Sequence, residues 1–370
     1  MPNENHYAVV VGVDQYPDFL KGKKNLNCPQ NDAKAIENWL LRADGGNLPP
    51  PAAGAVQSPN LVLITRDVPA GRPPPCPLIN EIVKAIKTTA AAFHAKYTFQ
   101  DEDGQAAIWN TSRLYLFFSG HGLDTSGDDA VLLGADTEDN LLFYVSVRDI
   151  VNKFKIAKTF REVVVWTDCC RTASAIPVGP SSLDLTAYRF EGKGDVRIFF
   201  ARASKTQQPA YEPPKAKLAE APNSFFTQAL LDGLKGGVPG ASAGLTTKNL
   251  RTYLELRVPE LSQKYYNLDQ YPEIAPDDYI ELVPARAAPH YTARLKVASD
   301  SPFAGFGALR VFSGLEGIAT VKQYPVNQAS PDVFEASLPT GLYIVTPDLQ
   351  NPASPKDTFY ILGANAEWKI

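Results

Sequence analysis

Two predicted β-strands of this chain end in side chains that can carry out nucleophilic chemistry. The run Val163–Trp166 leads into Cys169 and Cys170, and the run Leu114–Phe118 leads into His121, which has a glycine on each side. In an open α/β sheet, side chains at the carboxyl ends of the strands point into a crevice. A neighbouring imidazole can take the proton of a thiol and later protonate a leaving amine. The pattern therefore predicts a Cys/His pair for acyl transfer.

The elements that must position this pair alternate between strand-like and helix-like stretches. The alternation predicts an α/β domain with a mostly parallel six-stranded sheet and helices on both faces. We expect the first helix to be capped by Asn31 or Asp32, and another to begin at Ser146. The predicted strands are 7–13, 61–64, 113–118, 163–166, 196–200 and 280–283, the last of which should close the sheet.

A change of pattern near residue 285 predicts a second domain. Residues 291–370 contain short alternating runs separated by Gly, Pro, Asn and Asp, and they show no helical periodicity. This pattern is typical of a small β-sandwich. We expect domain boundaries of 1–284 and 291–370, joined by a linker at 285–290.

Composition excludes several classes of protein. The 370 residues carry a net charge of −4, which gives no general attraction to nucleic acid or to anionic membranes. No apolar run reaches the roughly 18 residues of a membrane span, and the first residues do not resemble a signal peptide, so we expect a cytoplasmic protein. The four cysteines show no paired spacing, so neither a disulfide framework nor a zinc site is predicted.

Several further motifs accompany the two reactive segments along the chain. They are Ala8–Tyr16, Asn31–Ala33, Gln208–Glu212, Ser224–Leu230 and Tyr271–Glu273. Together with Ser119–Gly122 and Asp168–Arg171, they resemble the signatures of the caspase/metacaspase superfamily, peptidase family C14, in particular its bacterial, orthocaspase-like members. The separation of His121 and Cys170 is close to the roughly 50 residues between the catalytic His and Cys of caspases. The resemblance covers about residues 6–284.

The resemblance implies a role for each reactive group. Cys170 is the nucleophile because the family's nucleophile immediately precedes the basic position, here Arg171, and Cys169 is expected to be a buried neighbour. His121 is the catalytic base, and the backbone N–H groups of Gly122 and Cys170 form the oxyanion site. Metacaspases have His, Ser and Gly after the cysteine, whereas this chain has Arg, Thr and Ala. No third residue that orients His121 is identifiable.

Asp32 and Asp168 are the acids that the resemblance places in the S1 pocket. Paired carboxylates in a partly desolvated pocket favour a guanidinium over an ammonium group. The implied specificity is therefore Arg, then Lys, at the P1 position. The alternative interpretation makes Asp32 a helix cap and Asp168 a surface charge.

No cofactor is expected to be required. Asp124, Asp128 and Asp129 are compatible with calcium binding, which some relatives need, but the run lacks EF-hand spacing. A solvated acidic turn is the favoured interpretation of these residues.

The long segment 172–195 follows the nucleophile and contains two basic residues, Arg189 and Lys193. Self-cleavage after either residue would match the expected specificity, and we interpret the segment as a switch that controls access to the cleft. The alternative is a passive surface loop.

The leading hypothesis is a cysteine endopeptidase that cuts proteins or peptides after basic residues through a thioacyl intermediate, in a bacterial cell-death or defence pathway. The alternative is a catalytically weak scaffold or adaptor in which both domains bind partners. Retention of His121 and Cys170 favours the enzyme. A regulatory partner would bind through the C-terminal domain.

Overall fold

In the computed structural model, the chain divides into two compact units. One unit is Met1–Leu231 with Leu254–Ile280, and the other is Asp232–Tyr253 with Glu281–Ile370. The predicted linker lies almost entirely outside the described residues, so the boundaries at 284 and 291 stay a prediction. The structure describes residues 2–19, 25–65, 77–124, 130–139, 141–173, 183–192, 194–219, 221–238, 244–275, 279–284, 290–313, 323–339, 341–348, 351, 353–361 and 366–370.

The secondary structure follows the predicted alternation. The helices are α1 (Pro29–Leu41), α2 (Ile79–Thr98), α3 (Glu102–Asn110), α4 (Val147–Ala157), α5 (Phe225–Asp232) and α6 (Thr247–Tyr266). The strands are β1 (His6–Gly12), β2 (Leu61–Ile64), β3 (Arg113–Gly120), β4 (Gly122–Asp124), β5 (Ala130–Leu133), β6 (Tyr144–Ser146), β7 (Glu162–Cys169), β8 (Thr172–Ala173), β9 (Arg197–Arg202), β10 (Leu245–Thr246), β11 (Glu273–Ile274), β12 (Glu281–Val283), β13 (His290–Lys296), β14 (Arg310–Ser313), β15 (Gln323–Tyr324), β16 (Val326–Ser330), β17 (Val333–Pro339), β18 (Gly341–Thr346), β19 (Asp357–Ile361) and β20 (Ala366–Lys369).

The central sheet of the first unit has six strands in the order β11-β9-β7-β3-β1-β2. All neighbouring pairs are parallel except β11 with β9. Every residue of β3 is buried, and so are nearly all residues of β1 and β7. Strands covered on both faces need continuous apolar runs, which is the pattern that the sequence shows. The predicted mostly parallel six-stranded sheet is confirmed.

The prediction that residues 280–283 close this sheet is wrong. Residues 281–283 form β12, which pairs with β10 and not with the central sheet. The edge position belongs to the two-residue β11, antiparallel to β9. A short apolar run indicates a strand but carries no information about its hydrogen-bonding partner.

Aromatic side chains attach helices to both faces of the central sheet. On one face, Trp39 of α1 contacts Tyr115 of β3 and Trp166 of β7, with ring centroids 6.0 and 5.9 Å apart. On the opposite face, Phe93 of α2 contacts Tyr7 of β1 at 5.7 Å. These edge-on contacts hold the strands in a layer between helices.

Two helix starts were predicted, and one of them differs. Helix α4 begins after Ser146, whose hydroxyl accepts the N–H of Asp149 at 3.0 Å, as predicted. Helix α1 begins at Pro29, so neither Asn31 nor Asp32 is its cap. Proline at the first helical position has a suitable φ and loses no hydrogen bond there. The side chain of Asp32 is thereby free to take part in other contacts.

A smaller four-stranded sheet of the first unit continues from the ends of β3 and β7. Its order is β6-β5-β4-β8, with β4 antiparallel to β5 and parallel to β8. Every residue of β5 is buried. This sheet holds the segment that follows His121 alongside the segment that follows Cys170.

The second unit contains two four-stranded sheets, β16-β17-β13-β20 and β15-β14-β18-β19. Side chains from both sheets form one apolar cluster, including Leu295 and Phe334 from the first and Val311, Tyr343 and Phe359 from the second. The predicted C-terminal β-sandwich is confirmed, although one strand pair, β13 with β20, is parallel.

Candidate active site

Parallel pairing of β3 with β7 brings the predicted catalytic pair together. The register places Ser119 beside Asp168 and Gly120 beside Cys169. The next residue on one chain segment is His121, and on the other it is Cys170. The two segments stay paired beyond them, because β4 and β8 continue the parallel contact. His121 and Cys170 therefore occupy neighbouring positions at the carboxyl edge of the sheet.

The glycines on each side of His121 are required by close contacts. A Cβ atom on Gly122 would lie 2.6 Å from the Cys169 Cβ and from the Cys170 carbonyl oxygen. Gly120 has a φ of +158°, and a Cβ atom there would lie 2.6 Å from the Tyr16 hydroxyl. Only glycine lets the two strand ends approach this closely.

Cys170 is partly exposed. Cys169 is buried, as predicted. The Cys170 thiol donates to the carbonyl oxygen of Ala210 at 3.5 Å and accepts the N–H of the same residue at 3.4 Å. Burial raises the pKa of Cys170, and the Ala210 N–H opposes this rise. The Cys169 thiol donates to the Phe118 carbonyl at 3.6 Å, and burial raises its pKa well above the ordinary value. Cys170 thus needs a base before it can act as a nucleophile.

The two predicted pocket acids are both buried and hydrogen-bonded. Asp32 accepts the Ser119 hydroxyl at 3.0 Å, the Asn223 amide at 2.9 Å and the Ser224 N–H at 3.1 Å. These donors come from segments far apart in sequence. The interpretation of Asp32 as a helix cap is therefore wrong.

Asp168 accepts three hydrogen bonds through one carboxylate oxygen. The Thr227 N–H and hydroxyl donate at 3.0 and 2.6 Å, and the Ser224 hydroxyl donates as well. Ser224 therefore bridges the two acids, because its N–H bonds to Asp32 and its hydroxyl bonds to Asp168. The interpretation of Asp168 as a surface charge is also wrong.

Burial changes the protonation of this pair. Desolvation raises the pKa of Asp32 well above its ordinary value, and the charge of Asp168 raises it further. Desolvation also raises the pKa of Asp168 to about 6, although its three hydrogen bonds oppose the shift. The resting pair therefore holds a proton near neutral pH, which a bound cation would displace.

Asp32, Asp168 and Cys170 line one pocket that opens to solvent. A third acid, Glu212, also lines it and accepts the Asn27 N–H at 2.8 Å. The segment 208–212 stood out in the sequence as a motif, but nothing in it assigned a role to Glu212. The other lining residues are Leu26, Cys28, Pro29, Ser119, Gly120, Ala210, Tyr211 and Ser224.

The pocket contains the thiol of Cys170 and a buried pair of acids, and it lies in the unit that contains the six-stranded sheet. A family model for the caspase domain of the C14 peptidases matches residues 5–277. The chain belongs to the caspase-domain family. This match confirms the predicted superfamily and the caspase-like fold. Members of the family are cysteine-type peptidases, which act on proteins or peptides.

Solved structures with similarity to this caspase-domain chain share little sequence with it. Caspase-1 from Spodoptera frugiperda is 15 % identical, with coverage of 74 % of this chain and 88 % of that chain and a TM-score of 0.44. Protein GSU0716 from Geobacter sulfurreducens is 14 % identical, with coverage of 73 % and 92 % and a TM-score of 0.41. No curated protein matches the sequence.

Arg171, the basic residue that follows Cys170 in this caspase-domain protein, is buried and ion-paired. Arg171 forms ion pairs with Asp124, at 3.3 Å, and with Glu273, which also pairs with Arg202 at 3.1 Å. The predicted solvated turn is therefore wrong for Asp124, which is buried against Arg171. Asp128 and Asp129 lie outside the described residues. Within the described ranges, no cluster of His, Cys, Asp and Glu could hold a metal ion.

The candidate processing segment is partly described. The side chain of Arg189 is 54 % exposed, but the next residue, Phe190, is buried and stacks on Trp109 with centroids 4.6 Å apart. The Tyr97 hydroxyl donates to the Arg189 carbonyl at 3.2 Å. Lys193 lies outside the described residues.

Among the described helices, none has the length and the apolar character that a membrane span requires.

The raised pKa of Asp168 predicts a pH-dependent stability. Unfolded aspartate titrates near about 4, whereas folded Asp168 titrates near 6, so the folded protein holds the extra proton between these values. The free energy of unfolding should therefore fall as pH rises from about 4 to 6 and remain lower above that range. Asp168→Asn removes this penalty and should stabilise the protein at pH 7.5 by roughly 2–3 kcal/mol.

Urea unfolding of both proteins at pH 7.5 and at pH 4 measures this effect, and the difference should vanish at the lower pH. The matched control is Asp332→Asn, because Asp332 is exposed. Equal destabilisation by Asp168→Asn at both pH values would contradict the raised pKa.

Proposed function

We propose that this protein is a cysteine endopeptidase that cleaves after basic residues, with arginine preferred over lysine. The observation that carries the proposal is the pocket that Cys170 shares with Asp32 and Asp168. Cys170 supplies a nucleophile, and the two acids supply a buried site for one cation. A substrate held by its cationic side chain would present the adjoining peptide bond to the sulfur.

The proposed reaction begins when His121 accepts the Sγ proton of Cys170. The sulfur electron pair attacks the carbonyl carbon, and the backbone N–H groups of Gly122 and Cys170 stabilise the oxyanion. The C–N bond then breaks, and His121 gives its proton to the leaving amine. Water hydrolyses the thioester and restores the thiol. The raised pKa of Cys170 supports a mechanism in which His121 acts as a base.

The acid pair supports the proposed preference for arginine. A guanidinium presents donors in a planar fork that can pair with two carboxylates, whereas an ammonium is a compact and strongly hydrated charge. Binding of either cation would displace the proton that Asp32 and Asp168 hold at rest. Glu212 adds a third acid to the pocket wall. An acidic P1 side chain would meet repulsion instead.

Removal of either member of the dyad should abolish peptidase activity. Cys170→Ala and His121→Ala should each reduce kcat/KM for an arginine peptide by at least about a thousandfold, because both groups act in one step. Cys169→Ala is the matched control and should keep most of the activity, since its thiol is buried and bonded to the sheet. Hydrolysis of a fluorogenic Arg-P1 peptide measures the effect.

Labelling by an arginine chloromethyl ketone separates the enzyme from the scaffold hypothesis. The wild type and Cys169→Ala should be labelled, and Cys170→Ala should not. Substantial turnover by Cys170→Ala would overturn the assigned nucleophile. A wild type that neither cleaves peptides nor takes the label would favour the scaffold hypothesis.

Peptides that differ only at P1 test the specificity. Arg-P1 should be cleaved faster than Lys-P1, and both far faster than Asp-P1. Asp168→Asn should raise KM for Arg-P1 by about a hundredfold or more, because a desolvated guanidinium loses a charged partner. Glu212→Gln should have a smaller effect, since Glu212 is less buried than the pair. An enzyme that prefers Asp or Leu at P1 would contradict the proposed pocket.

We propose further that the segment 172–195 controls activity through self-cleavage after Arg189 or Lys193. The burial of Phe190 implies that the Arg189–Phe190 bond must be released before it can enter a cleft. Phe190→Ala should therefore speed cleavage after Arg189, whereas Phe99→Ala, at an exposed site, should not. Mass spectrometry of the new termini measures the cut. A cut of equal rate in Cys170→Ala would exclude self-processing, and so would no cut at all.

The remaining proposals follow from the sequence. We propose a cytoplasmic, metacaspase-like enzyme of a bacterial cell-death or defence pathway that needs no cofactor and binds neither nucleic acid nor membrane. A regulatory partner would bind the C-terminal β-sandwich. The net charge of −4 supports only the part of these proposals that concerns nucleic acid and anionic membranes.

A further inference from the structure

Tyr16 is packed directly against the imidazole of His121. The two ring centroids are 4.6 Å apart, with an angle of 52° between the ring planes. Phe19 contacts the same imidazole at 6.1 Å, with its ring edge-on. Tyr16 lies in the loop after β1 and is completely buried. The imidazole thus rests on an aromatic wall from another part of the chain.

The hydroxyl of Tyr16 also holds the backbone of His121. It accepts the His121 N–H at 2.8 Å and donates to the Leu133 carbonyl at 3.5 Å. The Leu133 N–H in turn donates to the His121 carbonyl at 2.9 Å. The closeness of the hydroxyl leaves no room for a side chain at position 120. One buried tyrosine therefore contacts both the ring and the peptide unit of His121.

We infer that Tyr16 is a positioning residue for His121. Tyr16 orients the imidazole and stabilises its protonated form. This inference rests on the proposed peptidase function. When the proton of Cys170 passes to His121, the imidazole becomes a cation next to the π-system of Tyr16. A cation within about 6 Å of an aromatic centroid is attracted by the ring quadrupole.

The hydroxyl of Tyr16 stays neutral throughout this transfer. Burial raises its pKa well above the ordinary value, and Cys169, Asp14 and Cys170 add to the rise. It therefore remains a hydrogen-bonding group that accepts from His121, and it does not compete for the proton. The ring and the hydroxyl make separable contributions, to imidazolium stability and to orientation.

Two substitutions separate these contributions. Tyr16→Phe keeps the ring and removes the hydroxyl, so kcat should fall by about tenfold with KM within about twofold. Tyr16→Leu removes both, and kcat should fall by about a hundredfold. The matched control is Tyr115→Phe, because Tyr115 is equally buried in β3 but its hydroxyl bonds to Arg113. The control should lose stability without this loss of kcat.

Alkylation of Cys170 by iodoacetamide provides a readout that needs no substrate pocket. Loss of the aromatic ring destabilises the imidazolium. In a plot of alkylation rate against pH, the rise at the acid end (the acid limb) should therefore move to lower pH in Tyr16→Leu. The limb should stay in place in Tyr16→Phe and in Tyr115→Phe. Thermal unfolding shows that each variant is folded before the rates are compared.

The outcomes distinguish the inference from the function on which it rests. If the wild type cleaves arginine peptides but Tyr16→Phe matches Tyr115→Phe in kcat, the hydroxyl does not orient His121 and that part of the inference is wrong. An unchanged acid limb in folded Tyr16→Leu would overturn stabilisation of the imidazolium. If the wild type cleaves no peptide, the proposed function fails, and the alkylation profiles still decide the role of Tyr16.

Discussion

Parallel pairing of β3 with β7 is the constraint on which the site depends. The register sets Ser119 beside Asp168 and brings the two chain segments to the sheet edge together. A shift of one residue would turn every side chain of one strand to the opposite face. The buried aromatic contacts of Trp166 and Tyr115 resist such a shift, because both rings are packed against Trp39. Packing in the middle of the sheet thus determines the chemistry at its end.

The acid pair is an unfavourable feature that the fold retains. Two buried carboxyl groups near each other cost desolvation and repulsion. Hydrogen bonds from the start of α5, through Ser224 and Thr227, offset part of this cost. Such an arrangement is consistent with a binding site, where a cation supplies the missing charge. It also explains why Asp32 lies in the first turn of α1 without serving as its cap.

Sequence patterns predicted those features that depend on neighbouring residues. The apolar runs identified the central strands, and the start of α4 followed from Ser146 and Asp149. The two corrections to the fold have different causes. Residues 281–283 form a strand, but its partner is β10. The start of α1 at Pro29 depends on a proline that the pattern of apolar residues does not include.

The sequence by itself determined the two strand ends, the thiol and imidazole that follow them, the family motifs and the sandwich pattern, because each is encoded over a few neighbouring residues. Only the tertiary structure decided that Ser224 links Asp32 to Asp168, that Arg171 is buried against Asp124, and that Tyr16 supports His121. These contacts join residues far apart in the chain. Their distances depend on how strands pair and helices pack, which local propensity does not specify.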